Sequence, residues 1–165
     1  MNIGILVTSD RAASGEYEDR SGPLLRQILH ANAPWEITHY AVVPDDMATI
    51  AATLVDWCEA NVNLIFTSGG TGFAPRDVTP EATRQVIERE APGLVEAVRA
   101  DSLRLTQHAM LSRAVAGIRG QTLIINLPGS PKAIRENLQV LLPVLPHALD
   151  LLLERSGTET QHRIV

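Results

Sequence analysis

Three glycines in four residues, Gly69-Gly70-Thr71-Gly72, follow directly on an apolar run, and a carboxylate, Asp77, stands shortly beyond them. Glycines let a backbone come close to a ligand and adopt conformations that a side chain forbids. Successive free N–H groups in such a loop can form an anion-binding nest. A negative charge beside a phosphate loop is unfavourable unless it holds a metal ion or orients a reactant, so the two features together point to phosphate chemistry. No Gly-Lys-Ser/Thr follows the loop, and it does not come after the first strand, which disfavours a standard nucleotide kinase or dehydrogenase.

Three other apolar runs end in short polar clusters, Ser9-Asp10-Arg11, Pro44-Asp45-Asp46 and Pro128-Gly129-Ser130. Each has a bland explanation. Strand-to-helix loops favour Gly, Ser, Asp and Pro for turn and cap reasons alone, with Asp45 or Asp46 as an N-cap and Ser130-Pro131 as a helix start. The four clusters gain weight together, because ligands of a doubly wound sheet bind beyond the carboxyl ends of its strands. Other reactive residues form no pattern. His30, His39, His108, His147 and His162 have no metal-ligand spacing, and Cys58 on a helix reads as packing.

The elements that must position these ends alternate strand and helix. Strands are expected over Asn2–Thr8, Glu36–Val43 and Asn63–Thr67, with a hairpin of Arg113–Ile118 and Gln121–Asn126 around Arg119-Gly120. Helices are expected over Pro23–Ala31, Met47–Ala60, Pro80–Arg89 (N-cap Thr79), Leu94–Leu105 and Pro131–Leu142, with a final one ending near Glu154. The fold class is α/β, a three-layer α/β/α sandwich around a mostly parallel sheet, with a short antiparallel hairpin near residues 113–126. Residues 1–155 form one domain and 156–165 a flexible polar tail.

Composition narrows the partners. A net charge of −5 with 4% aromatic residues argues against nucleic acid. The single cysteine excludes an internal disulfide. No apolar run spans a bilayer and no signal peptide is indicated, so a cytoplasmic protein is expected. An anionic ligand must therefore be held by local features; Lys132 is the only lysine.

The chain resembles the molybdopterin adenylyltransferase family of molybdenum cofactor biosynthesis. The motifs that carry the resemblance are Thr67-Ser68-Gly69-Gly70-Thr71-Gly72 with Arg76-Asp77-Val78-Thr79-Pro80-Glu81-Ala82-Thr83, Ser112-Arg113, and Asn126-Leu127-Pro128-Gly129-Ser130-Pro131-Lys132. The resemblance implies attack of the terminal phosphate of molybdopterin on the α-phosphorus of ATP, with release of pyrophosphate and help from Mg²⁺. The family's two important aspartates fall on Asp45 and Asp77, which would be catalytic and supply oxygen ligands to Mg²⁺. Ser68, Gly69, Gly70, Thr71 and Gly72 would bind substrate, as would Pro128, Gly129, Ser130 and Lys132 at a helix start. Ser9, Asp10 and Ser14 would be further pterin or phosphate contacts. The resemblance also implies a homotrimer and a transient partner in the downstream molybdate-inserting protein. The alternative is a non-catalytic molybdopterin-binding or carrier protein of the same fold, which would not need the aspartate pair.

Overall fold

The computed structural model describes residues 1–32 and 34–154. The tail expected over 156–165, with His162 in it, lies outside the described residues. Four parallel strands, β1 (Asn2–Thr8), β2 (Glu36–Val43), β3 (Leu64–Ser68) and β6 (Thr122–Leu127), form the body of the sheet. An antiparallel edge of β5 (Ala116–Arg119) and β4 (Arg89–Glu90) completes the order β2-β1-β3-β6-β5-β4.

Side chains alternate across a strand, and the apolar runs fill both faces. Ile3, Ile5 and Val7, Leu64 and Phe66, and Leu123, Ile125 and Leu127 join one core with α2 (Ser21–Asn32), α5 (Pro92–Ser102), α6 (Pro131–Leu141) and α7 (Leu145–Leu152). Leu6, Ile65 and Ile124 face the other way, onto α3 (Met47–Glu59) and α4 (Thr79–Val86). The result is the expected three-layer sandwich around strands buried on both sides. Among the described residues no helix is long and apolar enough to cross a membrane.

Two features position the site. The strand order reverses at β1, with β2 on one side and β3 on the other, which opens a crevice beyond their carboxyl ends. A buried polar cluster then ties those ends to α4. Asn126 of β6 donates through Nδ2 to Thr67 Oγ1 (2.9 Å) and Thr83 Oγ1 (2.8 Å), and its Oδ1 accepts the Val115 N–H (3.1 Å). Thr8 and Thr79 share a hydrogen bond of 3.0 Å between their hydroxyls. An Asn126→Leu substitution strands the Val115 N–H and two hydroxyls in the core. It is expected to cost about 2–4 kcal/mol, read as a lowered denaturation midpoint with an unchanged slope.

Several boundaries differ from expectation, each for a long-range reason. Thr79 is not the N-cap of α4; Val78 is, without a side-chain cap bond. The Thr79 hydroxyl is drawn to Thr8, and its amide is satisfied by the Gly70 carbonyl at 3.1 Å. Helix α4 ends at Val86, and Arg89–Glu90 pairs with β5 instead of extending it. Helix α5 runs from Pro92 only to Ser102, and a 3₁₀ turn follows at Gln107–Leu111. Arg113 does not open β5, because its N–H turns to the Thr71 carbonyl at 2.9 Å. A single turn of helix, α1 (Asp10–Ala13), stands where a loop was expected, capped by the Ser9 hydroxyl.

Candidate active site

The glycine loop is held in a shape that only glycine suits at two positions. Gly69 and Gly70 have φ of 107° and 60°. A Cβ on Gly69 would stand 2.3 Å from the Thr8 carbonyl oxygen, and one on Gly70 would stand 2.4 Å from Thr79 Oγ1. The Gly69 amide is committed to the Leu127 carbonyl (3.1 Å), so the expected nest is narrower than the motif. The amides left for it are those of Gly70, Thr71 and Gly72, which donate to no other described residue.

Both aspartates lie against this loop. Asp45 Oδ1 is 3.2 Å from the position of a Gly70 Cβ, and Asp77 Oδ2 is 2.9 Å from that of a Gly72 Cβ. Asp45 and Asp46, equivalent in the sequence, have separate tasks. Asp46 caps α3, accepting the Thr49 N–H and hydroxyl, and these bonds, the hydroxyl first, hold its carboxyl below the usual range. Asp45 instead exchanges bonds with Asp10: its Oδ2 accepts the Asp10 N–H (2.9 Å), and its own N–H donates to Asp10 Oδ1 (3.0 Å). Asp45 Oδ1 is buried with no partner. Burial foremost pushes its carboxyl up; the Asp10 N–H works against this, and the charges of Asp10 and Asp77 add to it.

Two further loops complete the crevice. Asp77 Oδ2 accepts the Ala74 N–H (2.9 Å). Arg113 then clamps the segment from outside, donating to the carbonyls of Gly72 (2.6 Å) and Asp77 and to Glu81 Oε1 (2.5 Å). Arg76 lays Nε and Nη2 on the two oxygens of Asp10 (2.9 and 2.8 Å), and this fork is the main cause that holds the Asp10 carboxyl below its ordinary range. Arg76, Asp10, Asp45 and Arg113 thus bind the loops after β1, β2 and β3 into one frame. The sequence offered Arg76 and Arg113 only as members of motifs, with no partner assigned.

The wall formed by Gly69–Gly72 and Pro128–Ser130 separates two cavities. Thr71, Gly72, Pro128, Ser130 and Lys132 line a largely apolar one of about 480 Å³ between α5, α6 and the 3₁₀ turn. Ser9, Ser68, Gly69 and Gly129 line a smaller one of about 330 Å³ on the other side. The two loops pack directly on each other, since a Cβ on Gly129 would stand 3.4 Å from the Gly69 Cα. Ser130 is the N-cap of α6 but makes no side-chain cap bond. Lys132 lies 3.9 Å from Glu136. Ser68 Oγ donates to the Pro128 carbonyl (3.1 Å). Asp10 is engaged by Arg76 and Asp45, and the exposed Ser14 donates to the Arg11 carbonyl (3.2 Å). Neither they nor Asp45 and Asp77 line these two cavities; Asp77 lines a third, beside Arg113.

A family described as "Probable molybdopterin binding domain" matches residues 4–147. The chain belongs to this family. A molybdopterin adenylyltransferase of Helicobacter pylori is 46% identical over 156 residues, covering 93% of this chain and 88% of that protein. A gephyrin of Dictyostelium discoideum is 48% identical over 159 residues, covering 91% of this chain; the match spans only 22% of that longer protein. The crystal structure of the molybdopterin biosynthesis enzyme MoaB of Thermus thermophilus superposes with a TM-score of 0.88 at 50% identity, covering 93% of this chain and 97% of that one.

The site suits the divalent cation that the family resemblance implies. Among the described residues no three His, Cys, Asp or Glu side chains converge as a self-sufficient metal cage. Mg²⁺ is commonly held by one or two carboxylates together with substrate phosphates and water. A buried, unpartnered carboxylate oxygen on Asp45, with Asp77 against the same loop, meets that requirement.

Proposed function

We infer that this chain is a molybdopterin adenylyltransferase that transfers AMP from ATP to the terminal phosphate of molybdopterin and releases pyrophosphate. The observation that carries the reading is the placing of Asp45 and Asp77 against Gly70 and Gly72 of one phosphate-type loop, whose two ends line separate cavities. Two substrates need two chambers, and the reaction joins them where the chambers meet.

In the reaction an oxygen of the pterin phosphate bonds to the α-phosphorus of ATP. The bond from that phosphorus to the α–β bridging oxygen breaks, and the electron pair leaves with pyrophosphate. Both partners are anions, so positioning and charge screening carry most of the catalysis. The amides of Gly70, Thr71 and Gly72 hold phosphate oxygens without adding a side-chain charge. Asp45 and Asp77 would hold Mg²⁺, which supplies the positive charge that screens the two phosphates. Ser130 and the first turn of α6 face the larger cavity and offer a second set of donors. Assembly as a homotrimer, a cytoplasmic setting and a transient contact with a molybdate-inserting protein belong to the same proposal.

The test is to mix the protein with molybdopterin, ATP and Mg²⁺. Adenylylated pterin and pyrophosphate are expected in equal amounts, and their absence with folded protein overturns the reading. Arg113 gives a subsidiary prediction. Arg113→Lys keeps the charge but cannot reach two carbonyls and Glu81 at once. The loop carrying Asp77 loosens, and turnover is expected to fall about 10²-fold, the scale of a 1 Å misplacement. Steady-state kinetics beside a thermal melt would separate this from unfolding.

A further inference from the structure

A protein of net charge −5 that gathers two phosphate substrates needs uncommitted positive charge at its cleft, and most of the nearby cations are already engaged. Arg76 is on Asp10, Arg113 on Glu81 and Lys132 near Glu136. Arg11 and Arg20 differ. Both line the smaller cavity, and neither makes an ion pair or side-chain hydrogen bond with another described residue. Each guanidinium is instead packed on the ring of Tyr17, with Cζ 5.0 Å from its centroid for Arg11 and 5.5 Å for Arg20. A guanidinium held on an aromatic ring uses none of its N–H donors in that contact. Those donors suit the oxygens of a phosphate, which arginine can grip with two parallel bonds.

The loop that presents them is braced. The Tyr17 N–H donates to the Arg11 carbonyl (3.1 Å), closing the turn between them. The Asp19 carboxylate has both oxygens engaged elsewhere: its Oδ1 accepts the N–H groups of Ser21 and Gly22, and its Oδ2 the Tyr40 hydroxyl. Ser21 Oγ donates to the Gly129 carbonyl (2.9 Å), fastening the start of α2 to the wall of the site. Glu18 and Asp19 are the opposing charges that line the cavity, and of the two only Asp19 has its oxygens engaged by described residues.

We propose that Arg11 and Arg20, held on Tyr17, form a phosphate clamp over the Ser68–Gly69 side of the cleft that grips a phosphate group of one of the two substrates. The proposal rests on the adenylyltransferase reading for the identity of those substrates. The phosphate comes either from the β,γ end of ATP, which leaves as pyrophosphate, or from the terminal phosphate of molybdopterin.

The test uses the full chain and equilibrium titrations without turnover. Arg11→Met and Arg20→Met keep the apolar stem and remove the charge. Wild type and variants are titrated separately with Mg·ATP, pyrophosphate, AMP and molybdopterin, with thermal melts to show that the fold persists. Losing a charge-assisted bond to phosphate is expected to weaken binding about tenfold or more. Loss for ATP and pyrophosphate with AMP held within about twofold places the clamp on the leaving phosphates. Loss for molybdopterin alone places it on the pterin phosphate. In either case Tyr17→Phe retains affinity, Tyr17→Ala loses it, and Glu18→Gln tightens binding. Unchanged affinity for every probe, an equal loss for all four, or no measurable binding of any of them to wild type overturns the clamp. The two readings fail separately: transfer by wild type with unchanged binding by the variants sinks only the clamp, and selective loss without any transfer sinks only the reaction.

Discussion

Replacing Asp45 by Asn is expected to reduce adenylyl transfer about a thousandfold, the scale of losing one preorganised electrostatic contact to a reacting group, while the ligand-free protein becomes no less stable. Asparagine keeps an oxygen to accept the Asp10 N–H, so the exchange of bonds between the loops after β1 and β2 survives. What disappears is the charge on a buried oxygen with no partner. The sign of the stability change follows from the raised Asp45 carboxyl. An acid whose pKa is higher in the folded than in the unfolded chain destabilises the fold when it ionises. The penalty is absent below the unfolded value, grows as pH rises towards the folded value, and is complete above it. The melting temperature of Asp45→Asn relative to wild type should therefore rise with pH across the mildly acidic range and then level off. A variant that turns over normally, or that is destabilised most at neutral pH, would contradict the role given to Asp45. Asp77→Asn is expected to lose comparable activity, because its carboxylate stands against the same loop. Near-normal turnover of that variant would remove Asp77 from the mechanism.

The second large effect is on the fold. Gly69→Ala combines a φ of 107° with a Cβ placed 2.3 Å from a backbone oxygen of β1, which cannot swing aside as a side chain would. Backbone strain and overpacking together cost about 3–5 kcal/mol, a large share of the roughly 5–15 kcal/mol that stabilises a domain. Gly70→Ala should be milder in denaturant. Its φ of 60° is the left-handed helical value, and its worst neighbour is the Thr79 hydroxyl, a side-chain atom. That Cβ would still crowd Asp45 Oδ1 and break the link between Thr8 and Thr79, so Gly70→Ala should lose activity while remaining folded. Urea midpoints in the reverse order would show that Thr8 does not hold the loop.

These predictions also mark what was legible in the chain. Continuous apolar runs announced β1, β3 and β6, because a strand buried on both faces has no other composition available. The glycine loop and Asp77 were visible because their chemistry is local and unusual. Partners distant in the chain were not. Nothing near Asp10 says that its carboxylate will serve Arg76, sixty-six residues away, and nothing near Arg113 says that it will hold the carbonyls of Gly72 and Asp77. The two residues of β4 carry no periodicity and are a strand only because β5 lies beside them. Thr79 looked like a cap by every local rule; a hydroxyl on β1 drew it away from the helix end. Local patterns named the ends of the strands, and long-range bonds decided which groups at those ends remained available.

Two glycines, Gly69 and Gly129, meet where the loops after β3 and β6 border the smaller cavity, and a Cβ on Gly129 would stand 3.4 Å from the Gly69 Cα. Reacting atoms must approach to about 3–3.5 Å before a bond can form. A side chain at Gly69 would be aimed at the Thr8 carbonyl and one at Gly129 at the Gly69 backbone, so either would wedge the strand ends apart. Backbone packed directly on backbone leaves those loops no slack, and the groups they carry stay at a fixed separation.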